Sequence, residues 1–266
     1  MGILDRCLPA AMLLKDDGSK IYSRTFLWIY DFNVLWLNNN YAWRCSTDKV
    51  LFPLYRSAMG ANHLEIGVGT GYYPTEALKL GTPCRRITLV DLNAATLDAA
   101  SRRISGLARD SKNTSNNTSS AGSGSGSGSS GSGSGNIADV ELRTVLANAM
   151  EPLPLPAGET FDSISLFHLL HCVPLTPEQK TRVFDLVRER LRASGTLVGS
   201  TILGDEVPRN RFAEFNMRVY NKSGVFHNWA DTRAVFERGL RRNFEDVETD
   251  VVGSVMTWRA RKPRPG

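Results

Sequence analysis

The chain has 266 residues, 41% of them apolar and 22% charged, with a formal net charge of +5. That length holds one α/β domain with a sizeable core, and the balance is that of an ordinary globular protein. The cations are spread over Arg102-Arg103, Arg241-Arg242 and the stretch 259–264, without the interleaved aromatics of a nucleic-acid groove, so no nucleic-acid partner is expected.

Residues 1–60 carry no strand pattern. Their aromatics, Tyr22, Phe26, Trp28, Tyr30, Phe32, Trp36, Tyr41, Trp43, Phe52 and Tyr55, recur at three- and four-residue spacings, which predicts amphipathic helices. The apolar run 26–37 is too short to span a bilayer and is interrupted by Asp31 and Asn33, so no membrane partner is expected. Asp5 and Arg6 precede any apolar run, unlike a secretory signal. Cys7, Cys45, Cys84 and Cys172 form no C-x-x-C pair, which argues against a zinc site or a disulfide framework and fits a reducing, cytoplasmic compartment.

A predicted strand near 61–66 runs into Gly67-Val68-Gly69-Thr70-Gly71, a helix is predicted over 72–80, and a second strand over 86–91 ends in Asp91. Glycines at this point let the backbone approach a ligand closely. An acid at the tip of the second strand accepts hydrogen bonds from a ribose diol. A dinucleotide turn reads G-x-G-x-x-G. Here the third glycine of that pattern falls on Tyr72, and the spacing is instead acid-x-G-x-G-x-G from Glu65.

A helix is predicted over 94–107. Residues 111–136 are then almost wholly Asn, Thr, Ser and Gly, a composition predicted to stay disordered as a linker within the domain. Strands are predicted over 140–145, 162–167 and 196–202, and over 247–259 with a break at Gly253; helices are predicted over 177–192 and 231–242. Alternating strands and helices imply an α/β, doubly wound, mostly parallel sheet. His168 and His171 follow the fourth strand, but no carboxylate stands at helical spacing beside them, so no metal is expected. Residues 41–45 and 216–228 mix aromatics with amide and basic groups, as small-molecule pockets do.

The glycine turn with Glu65 and Asp91 resembles motifs I and II of class I S-adenosylmethionine-dependent methyltransferases, and residues 60–260 carry the resemblance. It implies a Rossmann-like, seven-stranded sheet with an antiparallel C-terminal edge. The core would span 61–260, interrupted by 111–136, with 1–60 as an N-terminal helical cap over the substrate. It implies S-adenosylmethionine as cofactor and S-adenosylhomocysteine as product. Glu65, Gly67, Gly69 and Gly71 would lie under the methionine part, and Asp91, with Leu92 beside it, would hold the ribose. Asn148-Ala149 stand where the family commonly has Asp-Ala reading adenine; the carboxylate is missing here.

By the same resemblance, residues 161–171 match motif IV, with Phe167 toward the cofactor, His168 toward the substrate as a candidate base, and His171 structural. Residues 191–195 take the place of the family's Pro-Gly-Gly turn. Tyr41, Trp43, Asn216 and Tyr220 are the candidate substrate contacts. The expected reaction is methyl transfer to an oxygen or nitrogen of a small molecule of microbial secondary metabolism. Two alternatives stand beside it: a cyclisation or rearrangement on the same fold, and a cofactor-binding subunit without catalysis. The oligomeric state is left open.

Overall fold

The computed structural model describes residues 38–118 and 140–265. Of the predicted cap, the aromatics from Tyr22 to Trp36 lie outside the described residues, as does the low-complexity tract from 119 on. The described chain starts beside a π-helical turn at Thr47–Leu51, which leads into α1 (Phe52–Ala58).

Seven strands follow: β1 (Asn62–Ile66), β2 (Arg86–Asp91), β3 (Glu141–Leu146), β4 (Phe161–Phe167), β5 (Leu191–Ile202), β6 (Phe244–Val252) and β7 (Val255–Pro263). They form one sheet in the order β3-β2-β1-β4-β5-β7-β6. Pairing is parallel from β3 to β5, and β7 runs antiparallel to both β5 and β6. The expected architecture is thus the observed one: six strands run one way and β7 against them. β1 and β2 are buried on both faces, which is why they read as unbroken apolar runs. β3, at one margin, alternates between exposed and part-buried residues.

The helices are α2 (Tyr72–Lys79), α3 (Ala94–Thr118), α4 (Pro177–Lys180), α5 (Arg182–Arg188), α6 (Arg211–Lys222) and α7 (Arg233–Asn243). Each sheet face has its own core. One gathers Trp43, Tyr55, Tyr73, Phe167, Met217 and Phe226; the other gathers Phe161, Phe184, Phe236, Phe244 and Trp258.

Four local expectations are corrected. The helix predicted to end at Leu107 continues to Thr118, inside the tract expected to be disordered. Ordinary polar residues each cost at most about 0.7 kcal/mol there, and no glycine follows Gly106 until Gly122. The single helix predicted over 177–192 is two short ones; Thr176 and Gln179 form a capping box at the start of α4. Residues 191–195 are not a turn ahead of β5. Leu191 already pairs with Phe161 and Thr196 with Ser163, so residues 192–195 form an irregularity inside the strand. The segment after β5 contains an unpredicted helix, α6, capped by Asn210, whose side chain accepts from the N–H of Ala213.

Two long-range bolts fix the elements around the strand ends. Lys180 and Asp231 are fully buried, and Lys180 Nζ donates to both Asp231 oxygens at 2.9 and 2.7 Å and to the His227 carbonyl at 2.8 Å. At the tip of the β6–β7 hairpin, Ser254 N–H donates to the Trp43 carbonyl at 2.8 Å. Beside it, Gly253 has φ 60°, and a Cβ there would lie 2.0 Å from that same carbonyl.

Candidate functional site

The C-terminal ends of β1 to β4 converge on the glycine turn. Gly67, Gly69 and Gly71 all have positive φ, at 74°, 52° and 71°. Gly67 N–H donates to the Val90 carbonyl at 2.8 Å, which ties the turn to β2. A Cβ on Gly67 would meet Leu169 at 3.1 Å and one on Gly71 would meet Ala100 at 3.0 Å, whereas a Cβ on Gly69 would meet nothing among the described residues within 4 Å. The turn is closed below and on its helix side, and open above Gly69.

Asp91 lies beside the turn, its carboxylate within reach of the backbone N–H groups of Val68 and Gly69. Its Oδ1 accepts from Asn93 N–H at 2.9 Å. Burial raises its pKa, and the backbone N–H groups of Asn93, Val68, Leu92 and Gly69 oppose the rise. Leu92, next along the chain, is 73% exposed, and Leu146, the cross-strand partner of Asp91, is 60% exposed. Two large apolar side chains are thus left exposed at positions adjoining a part-buried carboxylate, a combination suited to a flat, partly polar ligand. Leu146 is not among the candidate site residues; the predicted strand stops at Val145, one residue before it, whereas β3 includes it.

Asn148 is already engaged: its Oδ1 accepts from Met150 N–H at 3.0 Å and its Nδ2 donates to Glu151 at 2.9 Å. Ala149 is part-buried beside it. Glu65 lies beneath the turn, 2% exposed. Its Oε2 accepts from Tyr55 Oη at 2.7 Å and Ser165 Oγ at 2.5 Å, and stands 3.1 Å from His63 Nε2. His63 Nδ1 contacts Ser163 Oγ at 2.7 Å. Burial, and then the charge of Glu65, push the Tyr55 phenol well above its usual range. This polar cluster was not anticipated; its members are scattered over α1, β1 and β4, and no local spacing reveals them. Phe167 is buried among Tyr55 and Tyr73, with ring centroids 5.6 and 5.0 Å away.

His168 follows the last residue of β4 and has φ 53°. Its Nε2 is buried with no hydrogen-bond partner among the described residues. Burial lowers its pKa to about 4. His171 is a packed residue: Ile202 N–H lies 3.4 Å from its Nδ1, and its ring sits 4.5 Å from Phe226. A row of rings then links the predicted substrate residues to the strand end. Tyr220 lies 4.8 Å and Trp43 6.0 Å from Phe226, Phe226 lies on His171, and His171 is 5.7 Å from His168. Trp43, Asn216 and Tyr220 are all buried, and Asn38 joins Asn216 at 3.3 Å to Tyr220 at 3.4 Å. Tyr41 is 55% exposed, and its carbonyl accepts from Asn210. The lead-in segment and α6 therefore meet through buried side chains, linked to His168 by the rings of Phe226 and His171. Among the described residues, no group of three or more His, Cys, Asp or Glu is placed to hold a metal ion, and no helix is long and apolar enough to cross a membrane.

No family model matches the chain. An O-methyltransferase of Aspergillus niger is 43% identical over 208 residues, covering 77% of this chain and 92% of that protein. The physcion biosynthesis cluster O-methyltransferase of Aspergillus chevalieri is 36% identical over 249 residues, covering 93% of this chain and 96% of that protein. Among solved structures, the DhpI–SAH complex superposes with a TM-score of 0.52 at 15% identity, covering 92% of this chain and 94% of that one, a likeness of fold.

Proposed function

This chain belongs to the class I methyltransferase family of those relatives, and from that premise we propose that it moves a methyl group from S-adenosylmethionine to an oxygen or nitrogen of a small organic acceptor, leaving S-adenosylhomocysteine. One observation carries the reading: the open space above Gly69 lies beside a part-buried carboxylate flanked by two exposed leucines. The donor set fits the cofactor. Asp91 offers carboxylate oxygens to a ribose diol, the backbone of Gly67 to Gly71 offers close approach, and Leu92 and Leu146 offer an apolar ledge to adenine. The packed polar cluster around Glu65 supports the floor beneath the methionine end. Asn148 has one carbonyl lone pair left for adenine, with Ala149 packed beside it.

When bound, the cofactor supplies a methyl group on a sulfonium, which needs only an aligned nucleophile and a dry site. His168 supplies the other half. Its imidazole is neutral above about pH 4, and its Nε2, without a partner among the described residues, takes the proton of a hydroxyl or amine as that group attacks. The unusual backbone at His168 suits a residue placed for function. Trp43, Asn216 and Tyr220 set the shape of the acceptor wall from behind, and Tyr41 belongs to its exposed rim. In this reading residues 1–60 form the cap and 61–260 the core. The relatives' names favour methyl transfer over cyclisation or a non-catalytic role, and the biosynthesis-cluster relative favours an acceptor from secondary metabolism.

The test is direct. Purified protein is incubated with S-adenosylmethionine and a panel of phenols, carboxylic acids and amines, and S-adenosylhomocysteine and the methylated product are measured by mass spectrometry. Stoichiometric formation of both is expected for at least one class. Binding without methylation of any, or no binding at all, would sink the proposal.

A further inference from the structure

Glu65 is an odd residue for the centre of a buried strand. Its neighbours Leu64 and Ile66 face the opposite core and are fully apolar, while Glu65 points into a face that also holds His63, Ser163 and Ser165. A buried carboxylate is costly unless its lone pairs are filled. Here Oε2 is filled from two other elements: Tyr55 donates from α1 and Ser165 from β4. Directional bonds of this kind fix a position that apolar packing alone leaves free to slip.

The Tyr55 ring does more than bring its hydroxyl. Its centroid is 5.2 Å from Tyr73, in the first turn of α2, and 5.6 Å from Phe167, next to His168. One side chain therefore touches the strand that enters the glycine turn, the helix that leaves it, and the strand end beside the candidate base. Gly67 follows Glu65 by two residues, and Gly71 is the N-cap residue of α2. Tyr55 thus clamps both ends of the turn from an element that lies outside the sheet.

We propose that Tyr55 and Ser165 are positioning residues for the cofactor: by holding Glu65 from two sides they set the shape of the glycine turn, and they make cofactor affinity depend on the seating of α1. This rests on the turn being the cofactor floor. Tyr55→Phe keeps the ring contacts and removes only the hydroxyl.

The experiment is calorimetric titration of S-adenosylhomocysteine into wild type, Tyr55→Phe, Ser165→Ala and the double variant, with melting temperatures of the ligand-free proteins alongside. Each single change should weaken binding roughly tenfold, the scale of a lost bond to a charged group. The double variant should lose less than the product of the two, because both bonds end on one oxygen. The Michaelis constant for the acceptor should stay within about twofold, a split that general loosening of the fold does not produce. Wild-type affinity in the single variants, whatever their melting temperatures, would overturn the proposal, as would a raised acceptor constant with unchanged cofactor binding. If Tyr55→Phe does not fold, Ser165→Ala decides by the same outcomes. Wild type that binds no S-adenosylhomocysteine would overturn the cofactor reading itself, which this titration reports separately.

Discussion

The backbone N–H of His168 donates to the Ser200 carbonyl at 2.9 Å. Phe167 and Ser200 are register partners, so this bond carries the β4–β5 ladder one residue further while the chain turns into the left-handed region. Asparagine and histidine both tolerate that region better than most residues. His168→Asn therefore removes the imidazole with little change to the backbone. Turnover should fall about a hundredfold, at the lower end of what a general base contributes. S-adenosylhomocysteine affinity should not change. In the wild type, turnover should rise from an acid limb near pH 4 to a plateau, and the limb should vanish in the variant. Equal rates for the two proteins would remove His168 from the chemistry.

The same imidazole affects stability. Its folded pKa of about 4 lies below the ordinary value of 6.5, so between those two pH values the unfolded chain binds a proton that the folded chain refuses. Stability is therefore lost as pH falls through that window and levels off below it. His171, lowered by burial in the same direction, adds to the slope. Melting temperature measured from pH 7 to 4.5 should decline less in His168→Asn than in wild type. Parallel curves would contradict the lowered pKa of His168.

Asp91→Ala should weaken S-adenosylhomocysteine binding ten- to a hundredfold by calorimetry, since a charged acceptor is worth roughly 1.5–3 kcal/mol. The loss should exceed that of Asn148→Ala, because the Asn148 side chain already serves Met150 and Glu151. The reverse order would reassign the ribose contact.

Gly69→Ala separates strain from obstruction. A Cβ there meets no atom of the described residues within 4 Å, so the folded state bears only the left-handed backbone, a cost of about 1–2 kcal/mol. Melting should drop by a few degrees, whereas cofactor binding should fall more than tenfold because the methyl group enters the proposed site. A variant that binds normally would mean that the turn is not the floor.

Lys180→Ala leaves the Asp231 carboxylate buried without its cation. Removing one partner of such a pair costs about 3–5 kcal/mol. Chemical denaturation should show a loss of that size, and Lys180→Met combined with Asp231→Leu should recover most of it. A loss below 1 kcal/mol in the single variant would contradict the complete burial of the pair.

The fold was legible where periodicity and punctuation agreed. β1, the glycine turn and β2 are buried, apolar and bounded, and their limits read from the sequence to within a residue. Asp91 was legible because its role is set by its place at a strand end. α6 was not: Asn210 caps it and Ala213, Met217 and Tyr220 line its buried side, but its exposed side carries Phe212 and Phe215, which blurs the stripe. The cluster of Tyr55, His63, Glu65 and Ser165 was invisible because it is assembled by parallel pairing of strands 100 residues apart. Composition points to Trp43 and Tyr220 as ligand contacts, and the structure buries both side chains against Phe226, a packing that no spacing in the sequence reveals.

The place of β7 between β5 and β6 has a consequence for biosynthesis. A ribosome delivers the chain in order at about 5–20 residues per second. β6 therefore has no strand to join, and β5 keeps one open side, until 255–263 is available. The Trp43 carbonyl, delivered some two hundred residues earlier, waits for Ser254 in the same way. The half of the domain that carries the glycine turn can form while translation continues, but the other half closes only when its last strand arrives. A released chain cut short between β6 and β7 would leave one margin of β5 and both margins of β6 unpaired, the kind of edge that templates aggregation.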